Sequence, residues 1–244
     1  MSEDRADPQL ELLEKPTTEL LDAFGAGNAS PGSGSAAALM GLLATKLLIT
    51  VCDKSLTKDE CKPHEVALNY IRNEVAAAEP RLKALFEKDA REFDQVVQLR
   101  VARNNAGTPS ERAKFSRDSQ ALLETATDNA FAVIDECMKL IEHGIVVFEN
   151  GWHAVRGDSG AAISVAVAAV LSGIFIANLN IKTLKGRRYA NANLQRCADL
   201  YQRVSEKQVR AIGCVTSLNA EAAAAVTGAV QTELEEVEGP VAKK

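Results

Sequence analysis

The chain has 244 residues, of which 46% are apolar and only 5% aromatic, and it carries a formal charge of −5 at pH 7. That length buries one large core or two small ones, and a core short of rings favours closely packed helices. The acidic balance argues against nucleic acid as the main partner.

Residues 1–16 are charged, end at Pro16 and contain no apolar stretch of the kind a secretory signal needs, so they are expected to be flexible. Thr17 or Thr18 is expected to cap a short helix over residues 19–24 that packs Leu20, Leu21 and Phe24 on the core. Next comes Ala29-Ser30-Pro31-Gly32-Ser33-Gly34-Ser35, followed at once by an apolar run over residues 36–51. Such a loop takes positive φ, with Ser35 as the expected N-cap, and delivers unpaired backbone N–H groups to a helix start, a place that attracts carboxylates and developing oxyanions. The run itself is apolar on nearly every face, which predicts a central helix ending near Asp53.

A helical pattern resumes at Pro63, and Pro80 is expected to kink or interrupt it. Leu82, Phe86, Phe93 and Val96 then form one stripe whose missing position is Asp89, reached in steps of four, three, four and three. A carboxylate in an apolar stripe loses solvent, its pKa rises, and it becomes fit for general acid or base work near neutral pH. The alternative is a buried Asp that caps or pairs structurally.

Residues 104–110 read as a loop with Ser110 as the next cap, opening a long amphipathic helix to about residue 148. A second polar loop holds Trp152 and His153 and ends at Asp158, the expected cap of an uncharged segment over residues 159–181. That segment is long enough to cross a membrane and is followed by Lys182, Lys185, Arg187 and Arg188. Its Ser164, Ser172, Asn178 and Asn180, and its wealth of Ala and Gly, mark it instead as a buried core helix, so no membrane is expected. Gly186 is the expected stop, and a last helix over residues 189–226 precedes a flexible tail, 228–244.

Five scattered cysteines without a Cys-x-x-Cys pair read as reduced thiols of a cytoplasmic protein. His64, His143 and His153 lack ligand spacing, so no metal is expected. There is no Walker loop and no nucleophile elbow. Without strand alternation anywhere, the chain reads as all-α: one up-and-down helical bundle with long helices spanning residues 17–227.

Taken in order, Pro31-Gly32-Ser33-Gly34-Ser35-Ala36-Ala37, Asp89-Ala90-Arg91-Glu92-Phe93, Gly157-Asp158-Ser159-Gly160 and Leu179-Asn180-Ile181-Lys182-Thr183 resemble the signatures of the cyclodeaminase and methenyltetrahydrofolate cyclohydrolase family. The resemblance covers roughly residues 17–210. It implies a homodimer or higher homo-oligomer with a tetrahydrofolate derivative as substrate, either hydrolysing 5,10-methenyltetrahydrofolate or closing 5-formiminotetrahydrofolate with loss of ammonia. It implies Asp89 for proton transfer and Asp158 as a second catalytic carboxylate. Pro31, Gly32, Ser33, Gly34, Ser35, His153 and Asn180 would then bind substrate, with Gly32 to Ser35 meeting the pterin or its carboxylate end, Asp158 and Asn180 orienting the ring edge, and Lys182, Lys185 and Arg188 meeting the glutamate tail. The chain departs from the family where Ser33 replaces a Gly, where Ile176-Ala177-Asn178 replaces Asn-Val-Arg, and where Gly151-Trp152-His153-Ala154 replaces Gly-Asn-Pro-Asn-Ala. Two other readings therefore stand beside it: the family fold turned to another amidine, imine or cyclic substrate, and a non-catalytic helical assembly module.

Overall fold

A computed structural model describes the backbone of residues 11–238 and the side chains through Gly228; the expectations of flexibility for residues 1–10 and 239–244 lie outside the described residues. Six helices follow one another: α1 (Thr17–Gly25), α2 (Ser33–Ser55), α3 (Glu65–Asn105), α4 (Pro109–Asn150), α5 (Arg156–Thr183) and α6 (Arg188–Glu238). No strand occurs among the described residues, and the fold is the all-α up-and-down bundle the sequence predicts. Helices α2 to α5 close a ring in which each packs on the next and α5 returns to α2, while α6 lies over α4 and α5.

The two helices without a polar face take the centre. Leu48, Val51 and Cys52 of α2 and Ala162, Ala166, Ala169 and Val170 of α5 are wholly enclosed. Small residues let these helices approach closely. A Cβ at Gly144 would come within 2.6 Å of Ile163, and one at Gly173 within 2.5 Å of Ile134. By length and composition, Ser33–Ser55 and His153–Thr183 could each cross a membrane, and about half of each apolar window is buried inside the bundle.

Several helix ends differ from the sequence reading, each for a local reason. Helix α1 starts at Thr17 behind Pro16, with no threonine side chain capping it, and Leu21 points outward at 59% exposure. Pro80 does not interrupt α3, which runs unbroken for 41 residues. The proline costs about 3 kcal/mol, whereas Val75, Leu82 and Phe86, all buried on the same helix, each return roughly 1.5–3 kcal/mol. Thr108, not Ser110, caps α4: its Oγ1 accepts from Glu111 N at 3.2 Å while Glu111 Oε2 accepts from Thr108 N at 3.1 Å. Gly186 stops the chain after α5 with φ +84°, the left-handed value expected of it. Helix α6 passes the expected end at Val226, because Ala222 to Ala225 and the acidic run behind them favour helix.

Candidate active site

Helix α2 begins at Ser33 behind Gly32, which offers no side-chain cap, and Ser35 is the third helical residue rather than the cap, 0% exposed. What turns it inward is Asp89 on α3. The Ser35 hydroxyl donates to Asp89 Oδ2 at 2.9 Å, and the Ser35 backbone N–H donates to the same carboxylate. Asp89 therefore caps α2 from across the bundle, placing an anion on the positive end of an apolar helix. The fit leaves no room for a side chain at position 34, where a Cβ would stand 2.1 Å from Asp89 Oδ1.

The loop in front is tied to the same stretch of α3. Ser30 Oγ donates to the Ala90 carbonyl at 2.7 Å, Pro31 is buried, and the Phe24 ring meets the Phe86 ring edge-on at 6.3 Å. One turn upstream, Leu13 N donates to Glu87 Oε1 at 2.9 Å, fastening the segment before α1 to a buried carboxylate. Three anchors within five residues of α3, at Phe86, Glu87 and Ala90, thus tie the loop and the segments leading into it down beside Asp89.

Asp89 is 8% exposed. Burial pushes its carboxyl above the usual range, the two Ser35 donors pull it partly back, and the nearby Glu92 carboxylate pushes it up again. Glu92 is itself held by the buried Asn129 side-chain amide of α4, with Lys88 at 3.7 Å. Ser35→Ala removes a hydroxyl donor to the ionised form, and a hydrogen bond to a charged group is worth about 1.5–3 kcal/mol. The Asp89 carboxyl is therefore expected to titrate clearly higher in that variant; a carbon NMR titration showing no upward displacement contradicts this account of the site.

Around the carboxylate lies a cavity of about 30 Å³, lined by Gly32, Ser33, Gly34 and Asp89 with Phe93, Ala126, Ile176 and Asn180. The structure thus brings four of the sequence-derived site positions on α2 and α3 together with Asn180 near the end of α5. Phe93 and Ile176, seen in the sequence only as a stripe position and a departure from pattern, supply its apolar walls. Lys182 and Lys185 are exposed beyond Asn180, and Arg188 lines an open cleft of about 530 Å³ with Tyr189 and Asn193. Arg187, noted in the sequence only as one of the cations behind the uncharged segment, shares that cleft and is fixed by Glu124 and Gln120. Its signal was its place directly after the stop glycine.

His153 and Asp158 lie elsewhere. Trp152 N donates to Ser55 Oγ at 2.8 Å, so this loop sits at the far end of α2 from Gly34. Asp158 is in the first turn of α5, behind Val155, instead of capping it; Asn180 is 22 residues further along that helix, about 33 Å at 1.5 Å per residue. His153 Nε2 lies 2.7 Å from an Arg156 guanidinium nitrogen, in a cleft with Glu60, His64 and Glu149. Both polar loops precede an apolar helix, but those helices run in opposite directions, so their N-termini open at opposite ends of the bundle. Among the described residues no group of His, Cys, Asp and Glu stands together as a metal site.

Residues 16–199 match the formiminotransferase-cyclodeaminase family. Over 175 residues the chain is 28% identical to methenyltetrahydrofolate cyclohydrolase of Methylorubrum extorquens, an alignment covering 72% of this chain and 83% of that one. The fold is similar to that of formiminotetrahydrofolate cyclodeaminase from Thermotoga maritima, with a TM-score of 0.73 at 17% identity over 85% of this chain and 99% of the other.

Proposed function

The chain belongs to the formiminotransferase-cyclodeaminase family, and from that premise we propose that it is a cytoplasmic enzyme of reduced folates that hydrolyses 5,10-methenyltetrahydrofolate to 10-formyltetrahydrofolate. The named cyclohydrolase relative supports the choice of substrate. The observation that carries the chemistry is Asp89, buried, raised in pKa and facing the same cavity as Gly32, Ser33, Gly34 and Asn180.

In this reading water attacks the methenyl carbon between N5 and N10, and Asp89 takes a proton from it, giving a tetrahedral carbinol. As the C–N5 bond breaks, the carbinol hydroxyl becomes the formyl carbonyl and N5 gains a proton, so the reaction releases one proton overall. A carboxyl raised above its ordinary range by burial serves both transfers. Ser33 at the exposed rim and the Asn180 side chain offer polar contacts to the ring edge, while Lys182, Lys185 and Arg188, with Arg187 beside them, supply cations for the glutamate carboxylates. A cavity of about 30 Å³ is far below the roughly 300–1,000 Å³ of sites that take ligands of this size. In this reading the loop over residues 29–32 moves away from Asp89 to admit the substrate, giving up the Ser30 hydrogen bond to the Ala90 carbonyl. The working unit in this reading is a homodimer or higher homo-oligomer.

Reduced folates test the reading by binding as well as by turnover. Methenyl- or formyltetrahydrofolate at a hundredfold excess over its Kd is expected to add about 2.7 kcal/mol to stability, or several degrees in Tm. No shift with any reduced folate overturns the assignment; ammonia release from the 5-formimino compound without hydrolysis of the methenyl compound moves it to the ring closure.

A further inference from the structure

Among the described residues Asp89 is the one ionisable side chain lining the cavity, and the next carboxylate along α3 stands just behind the cavity wall. Glu92 comes three residues later, a spacing that makes neighbours on a helix surface, and it directly precedes Phe93, which lines the cavity. Its side chain is only 15% exposed. What holds it there belongs to another helix. The Asn129 side-chain amide of α4 donates to Glu92 Oε2, and Asn129 is buried one turn beyond Ala126 of the cavity wall.

Packing alone does not call for an amide at that place. Ala126, Ala130, Phe131 and Val133 around it are buried and apolar, and a buried amide costs free energy unless it is paired. On its outer side Glu92 meets Lys88 Nζ at 3.7 Å, but that lysine is nearly half exposed and its charge is screened by water. The Glu92 carboxylate is thus fixed from within and only partly balanced from without. The other ionisable groups nearby are engaged elsewhere: Glu87 Oε1 accepts from Leu13 N, Glu124 pairs with Arg187, and Asp128 accepts from the Tyr189 hydroxyl. Helices α2 and α5 bring only the uncharged Ser33 and Asn180 to the cavity wall.

We propose that Glu92, pinned by Asn129, is a positioning residue whose fixed negative charge beside Asp89 strengthens Asp89 as the base that takes a proton from water. A like charge close by makes a carboxylate hold its proton more firmly, and a base with a weaker conjugate acid removes a proton faster. Burial raises the Asp89 carboxyl most, and Glu92 acts on it in the same direction. Asn129 matters because a glutamate free to turn outward would spend its charge on Lys88 and water. The bearing on turnover rests on the folate reading; the pairing of Glu92 with Asp89 does not.

Glu92→Gln separates the charge from the tie, since its side-chain oxygen still accepts from the Asn129 amide. The purified full-length variant is expected to keep the helical circular dichroism of the wild type, and its Asp89 carboxyl to titrate lower by carbon NMR. With 5,10-methenyltetrahydrofolate the acid limb of kcat/KM is expected to move to lower pH, and kcat to fall by less than the about 10²-fold set for loss of Asp89 itself, with KM little changed. Asn129→Leu, which keeps the charge and frees it to turn away, is expected to move the Asp89 titration in the same direction by a smaller step. An Asp89 titration that stays in place in Glu92→Gln, or a fall in kcat with an unmoved acid limb, overturns the proposal. The NMR titration uses no folate. A protein that shows the displacement but leaves every reduced folate untouched would end the folate reading and keep Glu92 as the residue that strengthens Asp89; an active wild type whose Asp89 ignores Glu92→Gln would do the reverse.

Discussion

Asp89→Asn is expected to keep the bundle folded while lowering turnover of 5,10-methenyltetrahydrofolate by at least about 10²-fold, the lower range of what a positioned general acid–base supplies. Asn is isosteric, and its carbonyl still accepts the Ser35 hydroxyl, so the cap on α2 survives. Only the proton carrier is lost. The stability effect has a definite sign. A carboxyl whose folded pKa lies above its unfolded value contributes stability below the unfolded pKa and loses it as pH rises through the folded one. Above the folded pKa the wild type carries the cost of ionising a buried Asp89, which Asn does not. The melting temperature of the variant relative to the wild type should therefore rise as pH rises through the folded pKa of Asp89 and fall in acid. A variant that unfolds, or one that keeps full turnover, contradicts the role given to Asp89.

Gly34→Ala should be as damaging to activity for the opposite reason, since it adds atoms where the carboxylate already is. A Cβ at position 34 would stand 2.1 Å from Asp89 Oδ1, 2.5 Å from its Cγ and 2.6 Å from Oδ2. The whole group blocks the space, and it cannot swing aside without giving up both the hydroxyl and the amide of Ser35. Overpacking of this kind costs about 1–3 kcal/mol, roughly 2–4 °C of Tm per kcal/mol in a chain of this size, and displaces the proton carrier from the cavity. Turnover is expected to fall with that of Asp89→Asn. The control is Gly25→Ala at the end of α1, where the added methyl has open space and should change neither Tm nor rate.

The architecture was legible because its signals are long. Apolar runs over residues 36–51 and 159–181 announce two central helices, and the period of the stripe through Leu82, Phe86, Phe93 and Val96 leaves Asp89 as its one polar interruption. Helix ends were less legible because caps depend on a few atoms. Ser35 has every property of an N-cap, yet the carboxylate that caps α2 comes from 54 residues away, a partner no local rule reveals. Thr108 was outcompeted in the reading by Ser110 although Pro109 and Glu111 complete its capping box.

Only part of the sequence-derived site comes together in the fold, for one topological reason. Gly32, Gly34, Asp89 and Asn180 converge because α2 and α5 run antiparallel, which sets the start of one beside the end of the other. The same antiparallel packing sends Asp158 and His153 to the opposite end. Similarity of local pattern, a polar loop before an apolar helix, carries no information about which end of the bundle it occupies.

The most direct test of the account follows the near-ultraviolet absorbance of 5,10-methenyltetrahydrofolate in the presence of purified protein, with Asp89→Asn alongside. The wild type is expected to bleach the absorbance well above the uncatalysed rate, with 10-formyltetrahydrofolate as product, and the variant is not. Equal rates for the two proteins, or a wild type no faster than buffer, would contradict it.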